Sequence, residues 1–250
     1  MNESIFVEKP NLPKSAVSEL IVSGRYTFVI DELKRLGISV IEANELSEVY
    51  GTEKYHADIS VIHLCNDNLL VAKNNTVLVH KLSSLGYNIS LSEKTIFGKY
   101  PNCTALNAVL LEDKMICRAS SIDDKLMEYC KNNSIRIIPV KQGYARCSTA
   151  VVAENAVITS DSGIYRACVE NSIDVLKIES GYIEIEGYDY GFIGGSCGKL
   201  SHDILAFCGD VKKHKNYDDM KAFALNYGVN LLSLSNKKLF DVGGIIPTLI

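Results

Sequence analysis

The sequence lacks any Cys-x-x-Cys pair, any excess of basic charge and any apolar run long enough to span a membrane. Each absence excludes a class. The eight cysteines, at 65, 103, 117, 130, 147, 168, 197 and 208, have neither zinc-ribbon nor dithiol redox spacing. A net charge of −4, from 26 basic and 30 acidic residues, offers no basic face to nucleic acid. A spanning helix needs about 18 or more consecutive apolar residues, so no membrane partner is expected. No His pair at helical spacing marks a metal site, and none is assigned. The stretch Met1–Lys14 carries charges and two prolines where a signal peptide needs an apolar centre. The cysteines are then expected to be reduced thiols, most of them buried, in a cytoplasmic protein.

What is present is a repeat. Residues 141–163, KQGYARCSTAVVAENAVITSDSG, read as a polar knot, a strand, a tight turn, a second strand and a helix start at Asp161. Looser copies begin near His56 (HADISVIHLCNDNLLVAKN), Asn102 (NCTALNAVLLEDKMICRAS) and Ser196 (SCGKLSHDILAFCGD). Matching the openings gives intervals of 46 (Asp58 to Thr104), 44 (Cys103 to Cys147) and 50 (Cys147 to Cys197). A strand pair, a helix and a closing strand need about 30 or more residues, so each interval fits one such unit.

The first full unit is predicted to pair strands 59–64 and 69–71 around Asn66-Asp67-Asn68, followed by a helix at 77–85 and a strand at 87–90. The second has strands 105–111 and 115–117, helix 122–131 and strand 135–140. The third has strands 147–152 and 157–158, a helix from Asp161 and strand 175–178. The fourth has strands 190–193 and 204–207, helix 217–227 and strand 230–234. The chain begins with half a unit, helix 26–36 capped by Gly37 and strand 38–41. It ends with LFDVGGIIPTLI, a strand pair with no helix after it. The two ends together would complete a fifth unit. The predicted architecture is thus one α/β domain over 1–250, a five-fold β/α propeller of ββαβ units at roughly 238–250 with 1–45, 55–90, 100–140, 143–180 and 187–235. An ordinary sheet of βαβ units is the alternative, but it would place one strand between helices, not two.

On these residues the chain resembles the pentein β/α propeller. That fold is shared by arginine and agmatine deiminases, dimethylarginine hydrolases and amidinotransferases, and by the non-catalytic translation initiation factor six. More narrowly, HADI (56–59), YPNCTALN (100–107), VKQGYARCS (140–148), GYDYGFIGGSCG (187–198) and FCGDVKKH (207–214) are similar to a family of bacterial proteins assigned to this guanidino-group-modifying-enzyme fold. The resemblance implies a fold and an ancestry. The enzyme branch uses a C-terminal cysteine nucleophile, a His often found as His-x-Asp, and carboxylates that grip a guanidinium. His56-Ala57-Asp58 matches His-x-Asp. Gly194-Gly195 and Gly243-Gly244 resemble the family's glycine pairs, with Ile193 standing where the first pair's Glu would be. No cysteine follows Cys208, and Thr248 falls where agmatine-type enzymes place the nucleophile.

In a ring of repeats the unit openings meet near the axis. They would bring together Asp58, Asn102, Cys103, Arg146, Cys147, Ser196, Cys197 and Asp241, or else serve only as strand-start residues. Converged, they suit a small zwitterion, with Arg146 pairing its carboxylate and Asp58 or Asp241 its cationic head. Cys147 is the first candidate nucleophile, because the Arg146 charge beside it would stabilise a thiolate. His56 is a candidate acid/base, with Asp58 fixing its tautomer. Asn102, Cys103, Arg146, Ser196, Cys197 and Asp241 are candidate ligand-binding residues, and Asp189, Tyr190, Gln142 and Tyr144 are placed near the same mouth. Residues 191–198 (GFIGGSCG) do not open a helix as a dinucleotide loop must, so no cofactor is implied. The expected activity is a hydrolase or transferase acting on a guanidino- or amino-acid-like ligand through a non-standard Cys. The other reading is a catalytically silent protein- or ribosome-docking factor.

Overall fold

A computed structural model describes residues 5–250. Fifteen of its seventeen described strands fall into five three-stranded sheets with one shared connectivity, and the other two form a separate pair. In the second sheet, β3 (Val61–Cys65) pairs antiparallel with β4 (Asn68–Val71), and β4 pairs parallel with β5 (Asn88–Leu91). The third repeats this with β6 (Val109–Leu110), β7 (Lys114–Cys117) and β8 (Arg136–Pro139). The fourth uses β9 (Thr149–Ala153), β10 (Ala156–Thr159) and β11 (Asp174–Lys177). The fifth uses β13 (Cys197–Ser201), β14 (Ile204–Phe207) and β15 (Asn230–Ser233). The first is assembled from both ends of the chain. There β17 (Ile246–Leu249) pairs antiparallel with β1 (Glu19–Ser23), and β1 pairs parallel with β2 (Ser39–Ala43). The two ends of the chain are thus joined in one sheet.

Each parallel pair is crossed over by one helix, as a parallel connection requires. These are α1 (Thr27–Arg35), α3 (Thr76–Ser84), α4 (Asp124–Asn132), α5 (Ser162–Glu170) and α6 (Tyr217–Leu225); α2 is a single turn, Ala57–Ser60. The Asp161 side chain accepts from the amides of Gly163 and Ile164, so the Asp read as a helix start is an N-cap. No described helix is long and apolar enough to cross a membrane.

The apolar strands have two buried faces, and alternate residues serve different neighbours. Val61 packs in a cluster with Ile21 and Ile41 of the first sheet, whereas Ile62 and Leu64 pack with Leu110 and Met115 of the third. Val109 meets Val151 of the fourth sheet, while Ala150 and Val152 meet Leu205 and Phe207 of the fifth. Leu200 and Ala206 of the fifth pack with Leu20 and Val22 of the first. Every sheet thus shares a core with the one before and the one after. This two-faced burial gives the near-continuous apolar runs of the sequence. The five sheets are not hydrogen-bonded into one closed sheet.

Four predicted strands are corrected, one of them that of the third repeat, which begins at Thr149 with Cys147 and Ser148 in the turn before it. Residues 59–60 lie in α2, residues 105–107 follow a 3-10 turn at Asn102–Thr104, and residues 190–193 are not strand at all. The strand of the fourth repeat begins at Cys197 instead. The C-terminal segment is not a hairpin: β16 (Leu239–Phe240) pairs parallel with β12 (Ile183–Glu184), leaving β17 to the first sheet. Ile59, Ala105, Leu106 and Ile193 are buried in these segments, which satisfies the same pattern as a buried strand.

Candidate active site

The turns that precede the first strands of the sheets meet around Cys147. A 3-10 turn, Thr52–Tyr55, delivers His56, and α2 delivers Asp58. Gly243 passes so close that a Cβ there would lie 2.3 Å from His56 Cβ, at φ +80°. Glycine is the residue that permits both the conformation and the approach. The Gly243 carbonyl accepts from the Asp58 amide at 3.2 Å, tying the last turn to α2.

The Cys147 thiol donates to Asp58 Oδ2 at 3.0 Å. Asn107 holds this pair: its Nδ2 donates to Cys147 Sγ and to the Asp58 carbonyl, each at 3.2 Å. Its Oδ1 accepts the amides of Arg146 (2.8 Å) and Cys147 (3.3 Å). Asp241 accepts the Phe192 amide at 2.9 Å and the Gly243 amide at 3.1 Å, and its Oδ1 lies 3.8 Å from His56 Nδ1. Among the described residues, His56 Nε2 and Asp58 Oδ1 have no hydrogen-bond partner. His56 and Asp58 are each 2% exposed and Asp241 is fully buried.

Burial raises both aspartates. It lifts the Asp58 carboxyl to about 6 against the pull of His56, and it lifts Asp241 as well. Burial, and then the Asp58 and Asp241 charges, push the Cys147 thiol well above its ordinary range. The expectation of an Arg146-stabilised thiolate is therefore corrected: two nearby carboxylates outweigh one guanidinium. The Arg146 side chain is turned to the backbone and does not line the cavity in front of Cys147. Its guanidinium donates to the carbonyls of Gly194 (3.1 Å), Thr149 (3.4 Å) and Ile245 (3.4 Å), joining three turns.

In front of Cys147 lies a cavity of about 120 Å³, based on Glu53, His56, Cys147 and Asp241. Its walls are the rings of Tyr144, Tyr188, Tyr190 and Phe192. No Lys or Arg lines it. A wider mouth, about 610 Å³, continues past Glu53, Tyr144 and Tyr188 to Tyr100 and Glu186. Tyr188 and Tyr144 both donate to Glu53 Oε1, at 2.6 and 3.0 Å, and Glu53 Oε2 is buried without a partner among the described residues. The cavity is acidic and aromatic, which suits a compact organic cation.

His56, Asp58, Cys147 and Asp241 are brought together, but with different partners from those expected. Asp241 is the nearer carboxylate to the imidazole, 3.8 Å from Nδ1, and Asp58 holds the thiol. Cys103 sits at the margin, 3.2 Å from the Tyr144 hydroxyl, its thiol raised by burial. Three other candidates do not reach the cavity. Asn102 is exposed in a separate groove with Lys94 and Phe97. Ser196 Oγ donates to the Ile193 carbonyl at 2.9 Å. Cys197 is a strand residue inside the apolar cluster of Ala150 and Phe207, with its thiol pushed up to about 12 by burial. Thr248 sits in β17 and donates to the Glu19 carbonyl at 3.1 Å. Glu53, Asn107, Tyr188 and Phe192 were not foreseen; the one signal was Asn107, a lone amide within an apolar run.

A family model matches residues 21–246, that of a family of unknown function, DUF6873. The chain belongs to this family. No curated protein matches this DUF6873 sequence. Among solved structures it is similar to SxtG, an amidinotransferase from Microseira wollei in the saxitoxin biosynthetic pathway, at 10% identity and TM-score 0.59, covering 92% of this chain and 91% of that one. The inosamine-phosphate amidinotransferase of Streptomyces griseus gives 10% identity and TM-score 0.59, with 96% and 93% covered. The agmatine deiminase of C. jejuni gives 7% identity and TM-score 0.56, with 94% and 92% covered. The DUF6873 chain therefore has the pentein fold of guanidino-group-modifying enzymes.

Proposed function

We propose that this protein binds a small guanidinium- or amidinium-type cation in the inner cavity and acts on it through Cys147, as a hydrolase or transferase. The observation that carries this reading is a thiol held between a carboxylate and an amide at the base of a cavity that contains two further carboxylates and aromatic walls, with no Lys or Arg among the described residues that line it. The cation would lie between Glu53 and Asp241 against the rings. Its charge would offset the carboxylates that keep the thiol protonated, so ligand binding itself would favour the thiolate. The thiol proton passes to Asp58 Oδ2 along the existing hydrogen bond, and Sγ attacks the electron-poor carbon of the cation. The amine departs with a proton delivered by the His56 imidazolium, leaving the carbon bonded to sulfur and His56 neutral, able to take a proton back from the next nucleophile. Water, or a second amine, then displaces the sulfur. Burial of Asp58 suits it to this role, because a carboxyl titrating at about 6 can accept and return a proton near neutral pH.

The shared cores between successive sheets, with the last packed on the first, support a single domain arranged as a five-fold ring around this site. Eight free cysteines, seven of them buried, fit a reducing compartment and a cytoplasmic location.

The test is calorimetric titration with agmatine, arginine and methylated arginines, followed by detection of released ammonia or amine. Binding is expected for at least one cation, weakened about tenfold or more in Glu53→Gln by loss of a charged partner. Turnover should vanish in Cys147→Ser. If nothing binds, the reading fails and the docking role becomes the better account.

A further inference from the structure

The imidazole of His56, the carboxylate of Asp58 and the thiol of Cys147 form a donor set that the organic-cation reading does not need as a set. One ligand atom from each lies within 4.8 Å of the other two, and all three side chains are buried. Nitrogen, sulfur and oxygen donors in one small cluster are the mixture that zinc-class ions take. Two of these side chains carry buried atoms without a partner among the described residues, His56 Nε2 and Asp58 Oδ1. A buried polar atom left unpaired costs about 1–3 kcal/mol, so two in one cluster point to a bound group. The surroundings match as well. Asp241 Oδ1 faces His56 Nδ1 at 3.8 Å, placing a carboxylate behind the imidazole as metal-bound histidines commonly have. Asn107 Nδ2, 3.2 Å from Sγ, would hydrogen-bond a thiolate.

We propose that His56, Asp58 and Cys147 bind one divalent transition-metal ion of the zinc class, through Nε2, a carboxylate oxygen and Sγ, with the fourth position facing the cavity. His56 and Cys147 line that cavity and Asp58 lies behind them, so the open side is the side a ligand would enter. On binding, the thiol proton now shared with Asp58 is released to solvent and a metal–thiolate bond forms. The site stands on its own geometry, independent of the proposed reaction. Its consequence for that reaction is direct. A metal-held Cys147 cannot attack carbon, and a dication competes with an organic cation for the same carboxylates, so the metal would close the site.

The experiment titrates cobalt(II) chloride into the full chain after dialysis against chelator. One equivalent should bind, giving an intense near-ultraviolet thiolate-to-cobalt band and the visible bands of a four-coordinate ion. Cys147→Ser should abolish the near-ultraviolet band, Asp58→Asn should weaken binding about tenfold or more, and Cys65→Ser, at a thiol far from the cluster in β3, should leave the spectrum unchanged. Zinc chloride should protect Cys147, but not Cys65, from iodoacetamide in the unsubstituted protein, which tests the site even if a variant does not fold. Cobalt bound without a thiolate band, a band that survives Cys147→Ser, or no protection by zinc would each overturn the proposal. Agmatine is titrated separately into the metal-free protein. Metal binding without agmatine binding would overturn only the catalytic reading, and agmatine binding without metal binding only this one.

Discussion

The turn at residues 146–148 and the turn at 194–196 occupy the same place in their repeats. Ser60 and Ser196 each accept, through the backbone carbonyl, the amide just past the second strand (Ala72 and Cys208, 2.8 Å each), and Ser148 accepts the Thr159 hydroxyl at the end of its own second strand. One turn carries Arg-Cys-Ser and the other Gly-Gly-Ser. The first supplies the side chains at the centre of the molecule, and the second supplies the room for them. A Cβ at Gly195 would lie 2.0 Å from Asp241 Oδ1, and one at Gly194 would lie 2.2 Å from the Arg146 carbonyl oxygen. The two turns also touch, since the Gly195 amide donates to the Cys147 carbonyl at 2.8 Å. Repeats that share a backbone have divided the work of building one site.

Gly195→Ala breaks that division most severely. The methyl group must displace a buried carboxylate that holds the Phe192 and Gly243 amides. Overpacking and the lost hydrogen bonds should together cost about 4 kcal/mol. Urea unfolding measures this, and a loss below about 1 kcal/mol would show that the glycine pair is not there to make space.

The same comparison extends along the strands. Val61, Thr149 and Cys197 occupy corresponding register positions, each pairing with the last residue of the second strand of its sheet. Two residues on stand His63, Val151 and Lys199, all buried. Burial pushes His63 down to about 4 and Lys199 down to about 8. His63 Nε2 bonds the Asn66 carbonyl at 2.8 Å. The folded state holds the His63 proton less tightly than the unfolded chain, whose histidine titrates near 6.5. Stability from this residue is therefore full above about 6.5 and is lost as pH falls toward about 4, by about 3 kcal/mol in all. His63→Gln keeps a donor for Asn66 and cannot titrate. The stability difference between the variant and the unsubstituted protein should shift in the variant's favour across that window, measured by urea melts at pH 4, 5, 6 and 7. A flat difference would show that His63 does not limit acid stability.

The sheets were legible because their strands are buried on both faces and their helices begin and end with ordinary signals, such as Asp161 and Gly37. The turns between sheets were not. Ile59, Ala105 and Leu106 are as apolar as strand residues because a turn at the centre of the molecule is enclosed on every side. Cysteine spacing also misled. Cys147 and Cys197 look equivalent at an interval of 50, but Cys197 lies two register positions further on, where Thr149 stands in the earlier repeat. Arg146 beside Cys147 reads as a thiolate stabiliser only until its three carbonyl partners are known. Glu53 has no local signal, since the tyrosines that hold it are 91 and 135 residues away.

The two cysteines give the smallest and most pointed test. In Cys147→Ser the hydroxyl can donate to Asp58 and accept from Asn107 in place of the thiol, so stability should change by less than about 1 kcal/mol. In Cys197→Ser the hydroxyl falls among Ala150, Ile158 and Phe207, where the thiol has no hydrogen-bond partner among the described residues, at a cost of about 2 kcal/mol. Thermal unfolding of both variants in one buffer reads the difference. Equal losses would mean that the polar cradle around Cys147 is not formed in solution. A larger loss at Cys147 would mean that the thiol serves packing rather than chemistry. The expected order, with Cys197 the costlier, is what separates a cysteine kept as a small hydrophobe from one held ready at a site.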